Sequence, residues 1–266
     1  MSFMISHQTS EFAGDSHAFT GAWGPSTSRA NFCEEDYVIS FYVAEFVNSL
    51  TNLAYIYPAL KYMYGRGSGG ILRPNVDFMS ISLLVLGVGS FLFHASLRHT
   101  LEFVDELSML GLTWSMLHAA YTAHQSPTVA RTISIALAVF HIPFLAFYVW
   151  SSEIIVQVIG FVGAIVLIGL RTHHLLHRPE LPKDKSRDWI IRTWTAVAIS
   201  LLGYLLWNID LKYCTELRNL RHQVGLPWAW LFEFHGWWHV LTAVGAGQFT
   251  NIMREVQGET GGRKRE

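Results

Sequence analysis

Seven stretches of mostly apolar sequence, each near or above the roughly 20 residues that a helix needs to cross hydrocarbon, constrain this chain more than any other feature. They run from Tyr37 to Tyr64, Val76 to Ser96, Glu102 to Ala123, Val129 to Trp150, Ile154 to Arg171, Trp189 to Ile209 and Trp228 to Met253, divided by charged or Pro/Gly-containing breaks. With 51% hydrophobic and 15% charged residues over 266 positions, the chain is too apolar for a water-soluble domain of this size. The expected fold is all-α, a polytopic seven-transmembrane-helix bundle. One membrane domain (residues 37–253) would lie between an N-terminal segment (1–36) and a tail (254–266), with no repeat and no second soluble domain. Nucleic acid is not an expected partner; oligomeric state and protein partners are not legible.

Lysine and arginine gather in cytoplasmic loops, and this fixes the expected orientation. With the N-terminus outside, roughly 14 of the 19 basic residues fall on the inner side, among them Lys61, Arg66, Arg73, Arg131 and the set from Arg171 to Arg192. Arg29, Arg98, Lys212, Arg218 and Arg221 stay outside. The N-terminus is therefore expected to be luminal and the C-terminus cytosolic. The polar stretch from Met1 to Arg29 has no basic start followed by an apolar run, so no cleavable signal peptide is expected. Gly65 to Pro74 reads as a flexible turn, Arg178 to Asp188 as a cytosolic loop, and Gly258 to Glu266 as a disordered tail. The only two cysteines, Cys33 and Cys214, fall on the luminal, oxidising side, which favours a disulfide over two independent thiols.

Ionisable side chains within a span cost on the order of 3 kcal/mol each at its centre, so those that occur face the bundle interior and serve a function. His235 and His239, in the run His-Gly-Trp-Trp-His, are an i, i+4 pair with imidazoles about 6 Å apart on one helix face. Ser90 and His94 repeat that spacing near the end of the second span, and Asp105 and Glu106 follow near the start of the third. In the expected topology His94, Asp105, His235 and His239 share one depth. Three neutral imidazoles with an open fourth position make a catalytic zinc arrangement, which acidifies water to a pKa near about 7. Asp105 is then the candidate proton carrier, and Ser90 the candidate donor to the water or to a developing oxyanion. The competing reading is a set of histidines that only knit helices together; for three at matched depth beside Asp105, the metal reading outweighs it. His118, His124 and His141 lack paired spacing, and His173, His174 and His177 belong to a basic cytosolic interface.

Asn31, Glu34, Glu35 and Asp36, followed by Glu45 and Asn48, form a second group at the luminal entrance. Hard oxygen donors spaced in this way suit calcium, and they equally suit a solvated acidic helix cap. Asp210, closing the sixth span after Trp207 and Asn208, is either an interface anchor or an acceptor supporting the metal layer.

Read together, Trp23-Gly24-Pro25, Asn31-Phe32-Cys33-Glu34-Glu35-Asp36-Tyr37, Ala44-Glu45-Phe46 with Asn48, Gly89-Ser90-Phe91-Leu92-Phe93-His94, Asp105-Glu106, Trp207-Asn208-Ile209-Asp210 and His235-Gly236-Trp237-Trp238-His239 resemble, in order, the motifs of the alkaline ceramidases, most closely the fungal dihydro- and phytoceramidases. That resemblance implies seven-helix hydrolases of endoplasmic reticulum and Golgi membranes that cleave ceramide into a sphingoid base and a fatty acid. It implies zinc (Zn2+) at His94, His235 and His239, with Ser90 and Asp105 catalytic. It also implies calcium (Ca2+) at Asn31, the Phe32 carbonyl, Glu34, Asp36 and Glu45, and a disulfide between Cys33 and Cys214. This chain departs in having Asn31 and Phe32 where Asp and Trp are common, and Asp36 where Asn is common, so one carboxylate is lost and one gained.

The reading is thus an intramembrane zinc amidase acting on a ceramide-type lipid that enters laterally from the bilayer, with Phe91, Phe93, Gly111 and Trp114 as candidate cavity wall. Two rivals are a receptor-like seven-helix zinc protein of the same superfamily, whose N-terminus is usually cytosolic, and a proton-coupled transporter using the buried His and Asp as a relay.

Overall fold

The computed structural model describes residue 15 and residues 17–263. The remainder of the first 16 residues, within the stretch read for a signal peptide, and Lys264 to Glu266 of the expected tail lie outside the described residues. Among the described residues all regular structure is helical, apart from one isolated bridge between Ser40 and Val43. The helices are α1 (Phe46–Thr51), α2 (Leu53–Met63), α3 (Phe78–Ser96), α4 (His99–Thr122), α5 (Pro127–Ser151), α6 (Ile154–Leu176), α7 (Lys183–Lys212), α8 (Cys214–Val224) and α9 (Phe234–Arg263), with a 3-10 turn at Trp228–Phe232.

By length and composition four of them, α3, α5, α6 and α7, can cross a membrane. Of the most apolar stretch of α3, 61% is buried inside the protein, against 11% for α5 and 17% for each of α6 and α7. So α3 is the interior helix. The other three turn side chains such as Val139, Phe140, Leu170, Trp194 and Leu205 outward, and that exterior matches hydrocarbon rather than water.

Local chemistry sets the helix ends. Asp77 opens α3 with a reciprocal capping box: its carboxylate accepts from Ser80 N at 2.7 Å and the Ser80 hydroxyl returns to Asp77 N at 3.2 Å. Ser126 caps α5, and Pro127 stands at the first helical position, where its missing N–H costs nothing. At the opposite end of α3, Leu97 adopts a left-handed conformation (φ 50°) that stops the helix. Its last turn is then crossed by residues 44 and 45, whose amides donate to Ala95 O (2.9 Å) and His94 O (3.0 Å). Carbonyls that a helix end leaves without partners are thereby satisfied by the segment that carries Glu45.

The structure differs from the expected spans in four places. Residues 37–45 are irregular rather than helical, and the first run divides at Asn52 into α1 and α2. The seventh run also departs: α8 and the 3-10 turn precede α9, which begins at Phe234 rather than Trp228. The sixth run is longer than its apolar part, reaching from Lys183 to Lys212. Finally, α9 runs on to Arg263, so residues 258–263 are helical rather than disordered. Contacts with α7 explain that extension: Glu255 accepts from Arg192 and from Trp189 Nε1, each at 2.7 Å, and Lys185 pairs with Glu259.

One apolar core gathers Met79, Leu117, Ile168, Leu175, Trp189 and Met253 at the end of the bundle where α3 begins. A second joins α2, α3, α4 and α9 through Tyr55, Leu83, Leu86, Leu112 and Ala243. Helices α7 and α9 pack most extensively, and α3 lies against α2 and α4. This brings the end of α3, the start of α4 and the start of α9 to one layer.

Candidate metal and catalytic centre

Helix α3 presents Ser90 and His94 one turn apart, α4 presents Asp105, and α9 presents His235 and His239 one turn apart. Close approach of α3 and α4 depends on Gly89, because a Cβ there would stand 3.0 Å from Val104 and 3.2 Å from the Ser108 hydroxyl. The three imidazoles meet with ligand nitrogens all within 4.8 Å of one another. Ring centroids are 5.1 Å apart for His94 and His235, 4.8 Å for His94 and His239, and 4.5 Å for His235 and His239. All three are buried. His94 Nε2 and His235 Nδ1 are buried with no hydrogen-bond partner among the described residues. Imidazole nitrogens stranded in this way, converging on one point, fit a zinc ion.

The surroundings hold these rings in place. His94 Nδ1 donates to Glu45 Oε2 at 2.5 Å, which leaves its Nε2 lone pair toward the cluster. Glu45 was expected as a calcium ligand; it also touches the histidine triad. The Phe32 ring stacks on His235 with centroids 3.7 Å apart, so residue 32 meets the site through its side chain as well as its main chain. Asp210 accepts the amide of Phe234 at 3.2 Å, and it also accepts from the backbone of Cys33 and His235. It therefore caps the start of α9 rather than contacting a ring nitrogen.

Ser90 and Asp105 are hydrogen-bonded side chain to side chain, a pairing the separate sequence assignments of these two residues did not anticipate. Ser90 is fully shielded, whereas Asp105 retains a partly accessible side chain. The pair thus joins α4 to α3 one turn before His94.

The acidic group also converges. Glu34, Asp36 and Glu45 are all buried, although the loop that bears the first two is short and polar. Glu34 accepts from Val47 N at 2.6 Å and Asn48 N at 2.8 Å, capping α1. Glu45 accepts from Phe32 N and Asn48 Nδ2, each at 3.1 Å. The side chains of Asn31 and Asp36 are hydrogen-bonded to each other, so the lost and the gained carboxylate positions face one another. Burial, with the neighbouring Glu45, pushes Glu34 and Asp36 up to about 8. Asn31 Oδ1 and Asp36 Oδ1 are buried with no hydrogen-bond partner among the described residues, and acceptor oxygens left in this way fit a hard cation such as calcium.

Cys33 and Cys214 form a disulfide, with Cα atoms 5.3 Å apart, that ties this loop to the start of α8. Arg221 of α8 adds a hydrogen bond to Cys33 O at 2.8 Å and an ion pair with Glu233. Sequence reasoning missed that pair and the Thr51 hydroxyl beside His239 Nδ1 (3.1 Å). Neither residue has a spacing signal; only proximity reveals them. Phe93 is buried against Phe32, Trp114 stacks on His141, and a Cβ at Gly111 would meet open space. His118 bonds Ser134, away from the triad.

A family model described as Ceramidase matches residues 24–265. The chain belongs to the ceramidase family. Among its relatives in that family are alkaline ceramidase YPC1 of Saccharomyces cerevisiae, 31% identical over 244 residues (85% of this chain, 75% of the yeast protein), and alkaline ceramidase 3 of Mus musculus, 29% identical over 237 residues (88% and 84%). An alkaline ceramidase of Arabidopsis thaliana is 27% identical over 230 residues (82% and 79%). The matched region contains the three converged histidines, Ser90 and Asp105.

Proposed function

We propose that this chain is a zinc-dependent intramembrane amidase that cleaves ceramide-type lipids, dihydro- and phytoceramide among them, into a sphingoid base and a fatty acid. The buried convergence of His94, His235 and His239 beside the Ser90–Asp105 pair, in a member of the ceramidase family, carries this reading. Those histidines would hold zinc, which supplies a Lewis acid and an acidified water when bound. Asp105 receives the water's proton on its carboxylate and passes it to the departing amine nitrogen. While Asp105 is ionised, the Ser90 hydroxyl is committed to it. Once Asp105 is protonated, that hydroxyl is released to donate to the oxyanion forming on the substrate carbonyl. Phe32 and Phe93 shield the histidines and exclude bulk water from one side.

The same proposal takes the bundle as seven spans, with α1 and α2 together, α4 and α9 joining the four apolar helices. The N-terminus would be luminal, the tail cytosolic, and the protein a multi-pass resident of endoplasmic reticulum or Golgi membranes. The lysine and arginine distribution supports that orientation. Asn31, the Phe32 carbonyl, Glu34, Asp36 and Glu45 would hold calcium, since their burial leaves acceptors in excess of donors.

The test is zinc content together with amide hydrolysis on purified, detergent-solubilised protein. About one zinc per chain, and sphingoid-base release that a chelator abolishes and zinc restores, is the expected result; a protein without zinc that still hydrolyses ceramide would refute it. For the second site, calcium is expected to raise the midpoint of thermal unfolding, and Asp36→Ala to remove that rise. An unchanged midpoint on calcium addition would disprove the calcium assignment.

A further inference from the structure

Between His235 and His239 stands Gly236, a residue for which the metal reading gives no reason. A Cβ at Gly236 would lie 3.2 Å from the Thr51 methyl carbon, 3.3 Å from Val47 Cγ1 and 3.5 Å from the Thr51 hydroxyl oxygen. The glycine therefore lets α1 press directly on α9. What that approach delivers is the Thr51 hydroxyl, 3.1 Å from Nδ1 of His239.

The hydroxyl proton of Thr51 is already spoken for. It points back along α1 to the carbonyls of Val47 (2.9 Å) and Asn48 (3.0 Å). With that proton engaged, the Thr51 oxygen accepts toward His239, and the main chain of Asn48 also hydrogen-bonds the ring. Nδ1 must therefore carry the imidazole proton, which leaves Nε2 as the lone pair that the ring can offer to the cluster. His94 is fixed in the same tautomer by Glu45 Oε2 on its Nδ1.

We propose that Thr51, delivered by the close approach at Gly236, is a positioning residue that fixes the tautomer and rotation of His239 for metal binding. This rests on the zinc reading above. An acceptor on the far nitrogen of a metal-bound imidazole orients the ring, and losing such a partner typically weakens metal binding about 10–100-fold. Because the main-chain contact of Asn48 with the ring remains, the effect is expected near the lower end of that range.

The experiment measures zinc affinity by chelator competition on the full-length, detergent-solubilised protein, for the parent chain, Thr51→Val, Thr51→Ala and Thr51→Ser. Absorption spectra of the cobalt-substituted forms are recorded alongside. Thr51→Val keeps the shape and removes the acceptor; Thr51→Ser keeps the acceptor and removes the methyl group. About tenfold weaker zinc binding in Thr51→Val and Thr51→Ala, an altered cobalt spectrum, and recovery in Thr51→Ser are expected. Parent-like affinity and spectrum in both Thr51→Val and Thr51→Ala would overturn the inference, as would a loss in Thr51→Ser equal to that in Thr51→Val, which would assign the effect to methyl packing. A parent chain that binds no zinc would instead overturn the underlying reading.

Discussion

Replacing His235 by alanine is expected to remove zinc and sphingoid-base release together. The substitution deletes one of three nitrogens that meet within 4.8 Å, and the two remaining imidazoles sit on different helices, α3 and α9. Loss of a group that merely supports a metal ligand costs about 10–100-fold in affinity, so loss of a ligand itself should exceed roughly 100-fold. Phe32 also loses the ring on which it stacks. Metal analysis and ceramide hydrolysis on the same purified sample read both effects, and elution as a single species in detergent shows that the bundle is intact. Zinc retained while hydrolysis is lost would move the ion away from this triad and favour the receptor-like reading. Unchanged hydrolysis would sink the amidase proposal.

Asp105→Asn separates proton transfer from metal binding. Asparagine keeps the size of the side chain and can still accept the Ser90 hydroxyl, yet it cannot take up and return a proton. Positioned general acid–base groups contribute about 10²–10⁴-fold, and a fall in kcat of that order is expected, with zinc content unchanged. Because Asp105 lies on α4, outside the three-histidine set, the metal should stay in place. A variant that loses zinc would make Asp105 part of the metal site. A variant that keeps more than about a tenth of the parental kcat would remove it from the proton path.

The helical class was legible from residues alone, because helix formation and hydrocarbon-length runs are properties of neighbours in sequence. Val76 to Ser96, Val129 to Trp150 and Ile154 to Arg171 correspond closely to α3, α5 and α6. The i, i+4 spacing of His235 and His239, and of Ser90 and His94, could be read for the same reason: a helix puts such pairs on one face whatever surrounds it. Their grouping with Asp105 followed from counting which helix ends share a side of the bundle. Motif resemblance supplied the calcium set, while the disulfide of Cys33 and Cys214 was already favoured by their shared place on the oxidising side.

What only the tertiary structure decided are the contacts between elements far apart in the chain. The break between α1 and α2 at Asn52, and the irregular path of residues 37–45, follow from docking that segment across the carbonyls at the end of α3. No local periodicity encodes such docking. It places Glu45 on His94 and Thr51 on His239, while the packing of α7 on α9 makes Asp210 a cap for α9. Ser90 meets Asp105 because Gly89 lets two backbones approach, and a glycine's neighbours across a helix interface are invisible in sequence. Sequence thus determined which side chains could do the chemistry, through local helical geometry and the cost of burying charge. Tertiary packing decided which partners orient them, since hydrogen bonds across helices depend on distances that no single segment specifies.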